Sequence, residues 1–112
     1  MSLLINTHRI PEQAMTIAIE PQGAIGPEDA SLLSDRFIMV LAATEPDRIV
    51  VDLSAVPAIS DAGLEALQSG CRKATANDAT VVVVDAAPQV EQQLRRHGLN
   101  GLVGGGHASD GR

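Results

Sequence analysis

Ile49-Val50-Val51-Asp52-Leu53-Ser54-Ala55-Val56-Pro57-Ala58-Ile59-Ser60-Asp61-Ala62-Gly63-Leu64 decides the architecture of this chain. Its first five residues are a short, nearly continuous apolar run, the pattern of a strand buried on both faces. From Ala62 onward, Leu64, Leu67, Cys71 and Ala74 recur at three- and four-residue steps, which predicts a helix with one buried stripe. Between them lies a tight connection. At the helix start several backbone N–H groups have no partner inside the helix. Such a terminus favours a negative group by about 0.3–1 kcal/mol. Gly63 stands in the first turn, where glycine is unfavourable unless something must approach the backbone closely.

Working outward, the same alternation of strand and helix continues. Leu3–Thr7 and Met15–Glu20 read as two leading strands, the second with Met15, Ile17 and Ile19 on one face and Thr16, Ala18 and Glu20 on the other. Gly23-Ala24-Ile25-Gly26 marks a turn. Pro27 suits the first position of a helix, with Glu28 and Asp29 adding favourable charge there. Ala30, Leu33, Phe37, Val40 and Leu41 give that helix its buried stripe, and it ends near Thr44, before Pro46. Thr80–Val84 reads as another buried strand. Pro88 opens a third helix with Val90 and Leu94 inward and Glu91 and Arg95 paired four apart. Gly98 suits a left-handed cap with Leu99 folding back. A weak final strand is expected at Leu102–Val103. The order predicts an α/β fold with a mixed sheet, a parallel centre and an antiparallel leading edge, its helices mainly on one face. Residues 1–103 read as a single domain, and 104–112 as a disordered Gly-rich tail.

Composition excludes several functions. The chain has 112 residues, 45% of them hydrophobic, and one aromatic residue, Phe37. It lacks the rings on which single-stranded nucleic acids stack. A formal charge of −6 and no basic stripe argue against phosphate backbones, so no nucleic acid is expected as a partner. Cys71 stands alone, and the three histidines, His8, His97 and His107, are too scattered for a metal or a triad, so no metal and no cofactor are expected. No run approaches the length of a membrane span, no secretion signal is visible, and the composition reads as a cytoplasmic module. Gly104-Gly105-Gly106 is no phosphate loop, since no Gly-Lys-Ser/Thr follows it.

The run from Ile49 to Leu64 resembles the signature of STAS domains (sulfate transporter and anti-sigma factor antagonist), in which a strand ends in Asp-Leu-Ser/Thr and Asp-Ser-Ser/Ala-Gly-Leu follows. The resemblance extends to the Gly23 turn, the second strand–helix repeat and His97-Gly98-Leu99. It implies a STAS-like fold and a bacterial regulator of transcription that acts by binding, in the manner of an anti-sigma factor antagonist. In such antagonists a serine at the start of this helix is phosphorylated by an anti-sigma factor that is also a kinase, and phosphate breaks the complex. The implied partner is therefore an anti-sigma factor or related regulatory kinase in a partner-switching pair. The contact would centre on Ser60, Asp61, Ala62, Gly63 and Leu64, with Gly26 at its rim.

The chain departs from the family pattern in three respects. Aligning Gly63-Leu64 with the family's Gly-Leu puts Ser60 where an aspartate is usual and Asp61 where the phosphorylated serine is usual. The acceptor hydroxyl is replaced. Gly26 stands where antagonists carry an acidic residue, and no amphipathic helix follows Val103. Asp61 reads as a helix N-terminal carboxylate, as a fixed charge on a partner surface, or as a phospho-acceptor itself. The last would need an acidic metal-binding pair and a lysine, and the only lysine, Lys73, lies in a helix. Ser60 is either a shifted phosphosite or the N-cap, and the preference of serine for N-caps favours the cap. Asp52 and Asp85 at strand ends read as capping or turn residues, Ser54 as a turn residue, and Cys71 as core filling. No nucleophile–base pair can be assembled, so no enzyme is expected. The alternative is a STAS-type module that binds a nucleotide or an apolar ligand.

Overall fold

The computed structural model describes residues 3–11 and 14–99. Four strands, β1 (Leu4–Ile10), β2 (Thr16–Gln22), β3 (Arg48–Asp52) and β4 (Thr80–Val84), lie in the order β1-β2-β3-β4. Only β1 and β2 are antiparallel; β2, β3 and β4 run parallel, with Ile17, Ile49 and Val81 in one row and Ile19, Val51 and Val83 in the next. Among the described residues three helices, α1 (Ala30–Thr44), α2 (Asp61–Ala76) and α3 (Pro88–Arg96), supply the connections and the last described element. The side chains of those two rows join Leu33, Phe37, Leu64, Leu67, Val90 and Leu94 in one core, so all three helices pack on the same face of the sheet. The mixed sheet predicted from the pattern is the one observed.

Local departures have physical causes. β1 runs three residues beyond the predicted Thr7, because its ladder continues to Ile10 opposite Thr16. His8 and Arg9 are exposed, as suits an edge strand, and give no apolar alternation. The predicted faces of β2 hold, with Ile17 and Ile19 in the core beneath the helices, and Thr16 and Ala18 on the other face are buried as well. Pro27 begins a 3-10 turn (Pro27–Asp29) that precedes α1.

The helix ends match their sequence signals. α1 ends at Thr44, and Glu45 takes a left-handed conformation (φ 47°) ahead of Pro46. At the end of α3 the Gly98 N–H donates to Arg95 C=O (3.0 Å) and the Leu99 N–H to Leu94 C=O (2.8 Å). Gly98 has φ 75° and Leu99 is buried, so the predicted reversal is a Schellman motif. α1 and α2 meet closely at Gly70: a methyl there would lie 2.6 Å from the Phe37 ring. The predicted strand at Leu102–Val103 and the tail 104–112 lie outside the described residues.

Candidate functional site

The carboxyl ends of β2, β3 and β4 and the N-termini of α1, α2 and α3 share one end of the molecule, since the strands are parallel and each feeds a helix. Two loops meet there. After β2, the Gly23 N–H donates to Ala55 C=O (3.0 Å), and Gly23 takes φ 121°. Ile25 N–H then donates to Ala58 C=O (2.9 Å), and Ser60 N–H to Ile25 C=O (2.8 Å), an isolated parallel bridge between Ile25 and Ile59. Backbone pairing therefore continues past the strands and brings Gly26 beside Ser60. These loops are held by main-chain bonds, so their outward side chains are presented on a fixed frame.

The run that opens α2 divides into a surface and a floor. Ser60 is the N-cap, and its Oγ accepts from Gly63 N–H (3.1 Å). Asp61 follows at the first helical position and is exposed; Ala62 is half-buried. Gly63 and Leu64 face inward, Leu64 being 1% exposed. The approach that Gly63 permits is internal: a methyl on it would stand 2.8 Å from Ile25 Cγ2 and 2.9 Å from Ile59 Cγ1. Gly26 caps the 3-10 turn, and its N–H donates to Asp29 Oδ2 (2.9 Å). Ser60, Asp61, Ala62 and Gly26 thus form the outer surface, with Gly63 and Leu64 beneath.

Two residues that the sequence pattern does not single out fix this surface. Gln89 and Gln93 lie one turn apart on α3, and their side-chain amides donate to Pro57 C=O (2.8 Å) and Ile59 C=O (2.9 Å). They satisfy carbonyls of the loop just before Ser60 and hold it to α3. The spacing of four along an otherwise amphipathic helix was their only signal. Asp52 accepts from Ser54 N–H (2.9 Å), a turn bond made by the aspartate carboxylate. Asp85 takes φ 58° directly after β4, a conformation that aspartate tolerates.

The loops and helix starts at this end carry charge of one sign, while Arg95 pairs with Glu91 (2.9 Å) and Arg36 Nη1 donates to Ile5 C=O (3.3 Å), opposite Pro21 near the end of β2. Residues 20–33, 52–65 and 85–91 contain Glu20, Glu28, Asp29, Asp52, Asp61, Glu65, Asp85 and Glu91 and no Lys or Arg. Arg48 begins β3 at the other end, and Arg72, Lys73, Arg95 and Arg96 lie late in α2 and α3. Carboxylates near helix N-termini are locally favourable, and together they give this end a negative field. A shallow hollow of about 440 Å³, lined by Leu3, Gln22, Gly23, Ala24, Gly26, Glu28 and Asp29 and by no Lys or Arg, borders the surface. Of these carboxylates, Glu20 Oε2 lies 3.7 Å from His8 Nε2. Burial pushes the Cys71 thiol up to about 11, which suits a packing role. Among the described residues no three His, Cys, Asp or Glu side chains are grouped to hold a metal ion, and no helix is long and apolar enough to cross a membrane.

The profile of the STAS domain matches residues 7–109. No curated protein matches the sequence. Among solved structures, an anti-sigma factor antagonist from Mycobacterium paratuberculosis superposes with a TM-score of 0.77 at 21% identity, covering 92% of this chain and 84% of that one. A putative anti-sigma factor antagonist from Thermotoga maritima gives 0.72 at 15% identity, covering 96% and 86%. The phosphorylated form of the Bacillus cell fate determinant SpoIIAA gives 0.68 at 10% identity, covering 97% and 90%. At these identities the likeness is one of fold.

Proposed function

The chain belongs to the STAS domain family, and from that premise we propose that it is a non-catalytic, cytoplasmic bacterial regulator that binds an anti-sigma factor or related regulatory kinase through the start of α2. The exposed Asp61, standing on loops that are tied by the Ile25–Ile59 bridge and carry no Lys or Arg, is the observation that carries this reading. Gly26, Ser60, Asp61 and Ala62 form the contact, and Gly63 and Leu64 set its height. The partner offers a basic surface, because a negative field steers and selects a positive one.

Asp61 stands in place of the phospho-acceptor serine. It supplies a single fixed charge where phosphoserine would carry about −1.5 to −2 and three acceptor oxygens. Phosphorylation at position 61 is absent, and Ser60 serves as a cap. The alternative of a nucleotide module is disfavoured by the hollow beside Gly26, where Glu28 would face phosphate with no Arg or Lys to offset it.

The test uses the histidine-kinase-like anti-sigma factor of the same organism with ATP, and maps phosphate by mass spectrometry. Wild type should bind it and carry no phosphate at Asp61 or Ser60, Asp61→Ser should gain phosphate at residue 61, and Asp61→Lys should bind at least tenfold more weakly. Phosphate on Ser60 of the wild type, or binding indifferent to Asp61→Lys, would overturn the reading.

A further inference from the structure

Pro21 fixes which residues of β1 turn their backbone outward. It stands opposite Ile5 in the antiparallel ladder of β1 and β2, and it has no N–H to give. The Ile5–Pro21 pair therefore exchanges no ladder bonds, and by the alternation of an antiparallel ladder neither do Thr7–Ile19 and Arg9–Ile17. The N–H and C=O groups of Ile5, Thr7 and Arg9 point away from β2. β1 is the last strand on that side of the sheet, so among the described residues no strand receives them. The Ile5 carbonyl accepts instead from Arg36 Nη1 on α1 (3.3 Å). Thr7 and Arg9 are exposed, with an open strand edge.

The same two residues line a groove. They lie opposite Ile19 and Ile17 of the core, so their side chains turn to the helix side of the sheet. There a groove of about 320 Å³ runs between β1 and α1, with Ile17, Met39, Val40 and Ala43 as its apolar lining and Arg9 and Arg36 as its cations. No Asp or Glu lines it, and among the described residues neither arginine is in an ion pair. In a chain with fourteen acidic residues against eight basic ones, two unpaired guanidinium groups on one apolar groove are an exception. Residues 36–44 of α1 cover about 12 Å, the length of about four extended residues.

We propose that the outer edge of β1 receives an extended acidic segment of another protein as an added strand, seated in the groove against α1. Its backbone pairs with Thr7 and Arg9. Its alternate side chains enter the groove: an apolar residue opposite Thr7, and Asp or Glu two positions to either side, near Arg36 and Arg9. Charge complementarity selects this occupant. The β1 of a second copy would bring His8 and Arg9 but no carboxylate, and would leave both guanidinium groups unpaired. An anionic bilayer would meet the arginines but offers the strand edge no alternating donors and acceptors. The residues involved are distinct from those at the start of α2, so the two readings fail independently.

The probe is a blocked heptapeptide, Ser-Glu-Thr-Val-Ser-Glu-Thr, titrated to about 2 mM into the isotopically labelled full chain. The amides of Thr7 and Arg9 should shift and gain protection from hydrogen exchange. That of His8, already bonded to β2, should change far less. The peptide with Lys for both Glu, and the original N-methylated at Val, should each bind about tenfold more weakly. Arg9→Glu should weaken the acidic peptide about tenfold and favour the lysine one. Thr7→Pro removes an outward N–H where an edge strand tolerates proline, and it should lose binding while the melting curve is kept. Unmoved Thr7 and Arg9 amides, or a lysine peptide that binds as well as the acidic one, would overturn the proposal. So would protection of both amides in the chain alone, giving the edge to a second copy if it grows with concentration and to this chain's own terminus if it does not. Binding of phosphatidylglycerol vesicles in preference to the peptide would overturn it in favour of a lipid surface.

Discussion

Replacing Gly63 by alanine adds one methyl group at the point where α2 begins. That methyl would stand 2.8 Å from Ile25 Cγ2 and 2.9 Å from Ile59 Cγ1. Ordinary carbon contacts are about 3.5–4.0 Å, so both are short by most of an ångström. Neither isoleucine can retreat easily: Ile25 is 1% and Ile59 3% exposed, and their backbones are joined through Ile25 N–H to Ala58 C=O and Ser60 N–H to Ile25 C=O. Overpacking of this kind costs about 1–3 kcal/mol. Alanine recovers about 0.5–1 kcal/mol of helix propensity, which leaves a net loss of roughly 1–2 kcal/mol. Urea unfolding followed by circular dichroism should show a lower midpoint at unchanged slope. The melting temperature should fall by roughly 5–10 °C, at the several degrees per kcal/mol expected for a domain near this size. A midpoint equal to or above that of wild type would refute the reasoning, because it would mean that the contact is loose and that Gly63 does not set the height of the binding surface.

Other outcomes follow from individual contacts. Ser60→Ala removes the acceptor of the Gly63 N–H and should cost about 1 kcal/mol in denaturant unfolding, while Ser60→Asp, another good cap, should cost little. Gly70→Ala should destabilise by about 1–3 kcal/mol through the Phe37 ring, 2.6 Å from the added methyl, and Phe37→Leu in the same chain should recover part of the loss. With its pKa raised to about 11 by burial, the Cys71 thiol stays protonated at neutral pH. It should react with a thiol reagent at pH 8 roughly a hundredfold more slowly than a free cysteine, and speed up only as pH rises towards 11 or on adding urea.

The residues show why some of this was readable from the sequence. α1, α2 and α3 declare themselves through stripes three and four apart, and Gly98 and Leu99 through local cap chemistry, because these features depend on neighbours within a turn or two. The parallel order follows from apolar strands separated by helix-length segments. The bonds that shape the surface at the start of α2 are different in kind. Gln89 to Pro57 and Gln93 to Ile59 join residues 32 and 34 positions apart, and the Ile25–Ile59 bridge spans a similar gap. Such pairings leave no periodic trace, and glutamine on a helix reads as solvent-facing. Gly63 and Gly70 carried a signal, an unfavourable residue inside a helix, but not its cause. For Gly63 that cause is the molecule's own core, beneath the surface that the family resemblance marks for a partner.

The central claim is that the acidic end around the start of α2 receives another protein. Titrating the isotopically labelled chain with the purified anti-sigma factor of the same organism and following backbone amide resonances tests this residue by residue. Gly26, Ser60, Asp61 and Ala62 should shift or broaden first, and Arg48, Arg72 and Thr80 at the far end should stay in place. Perturbation confined to that far end or to residues 38–43 of α1, with Asp61 unmoved at saturation, would contradict the account.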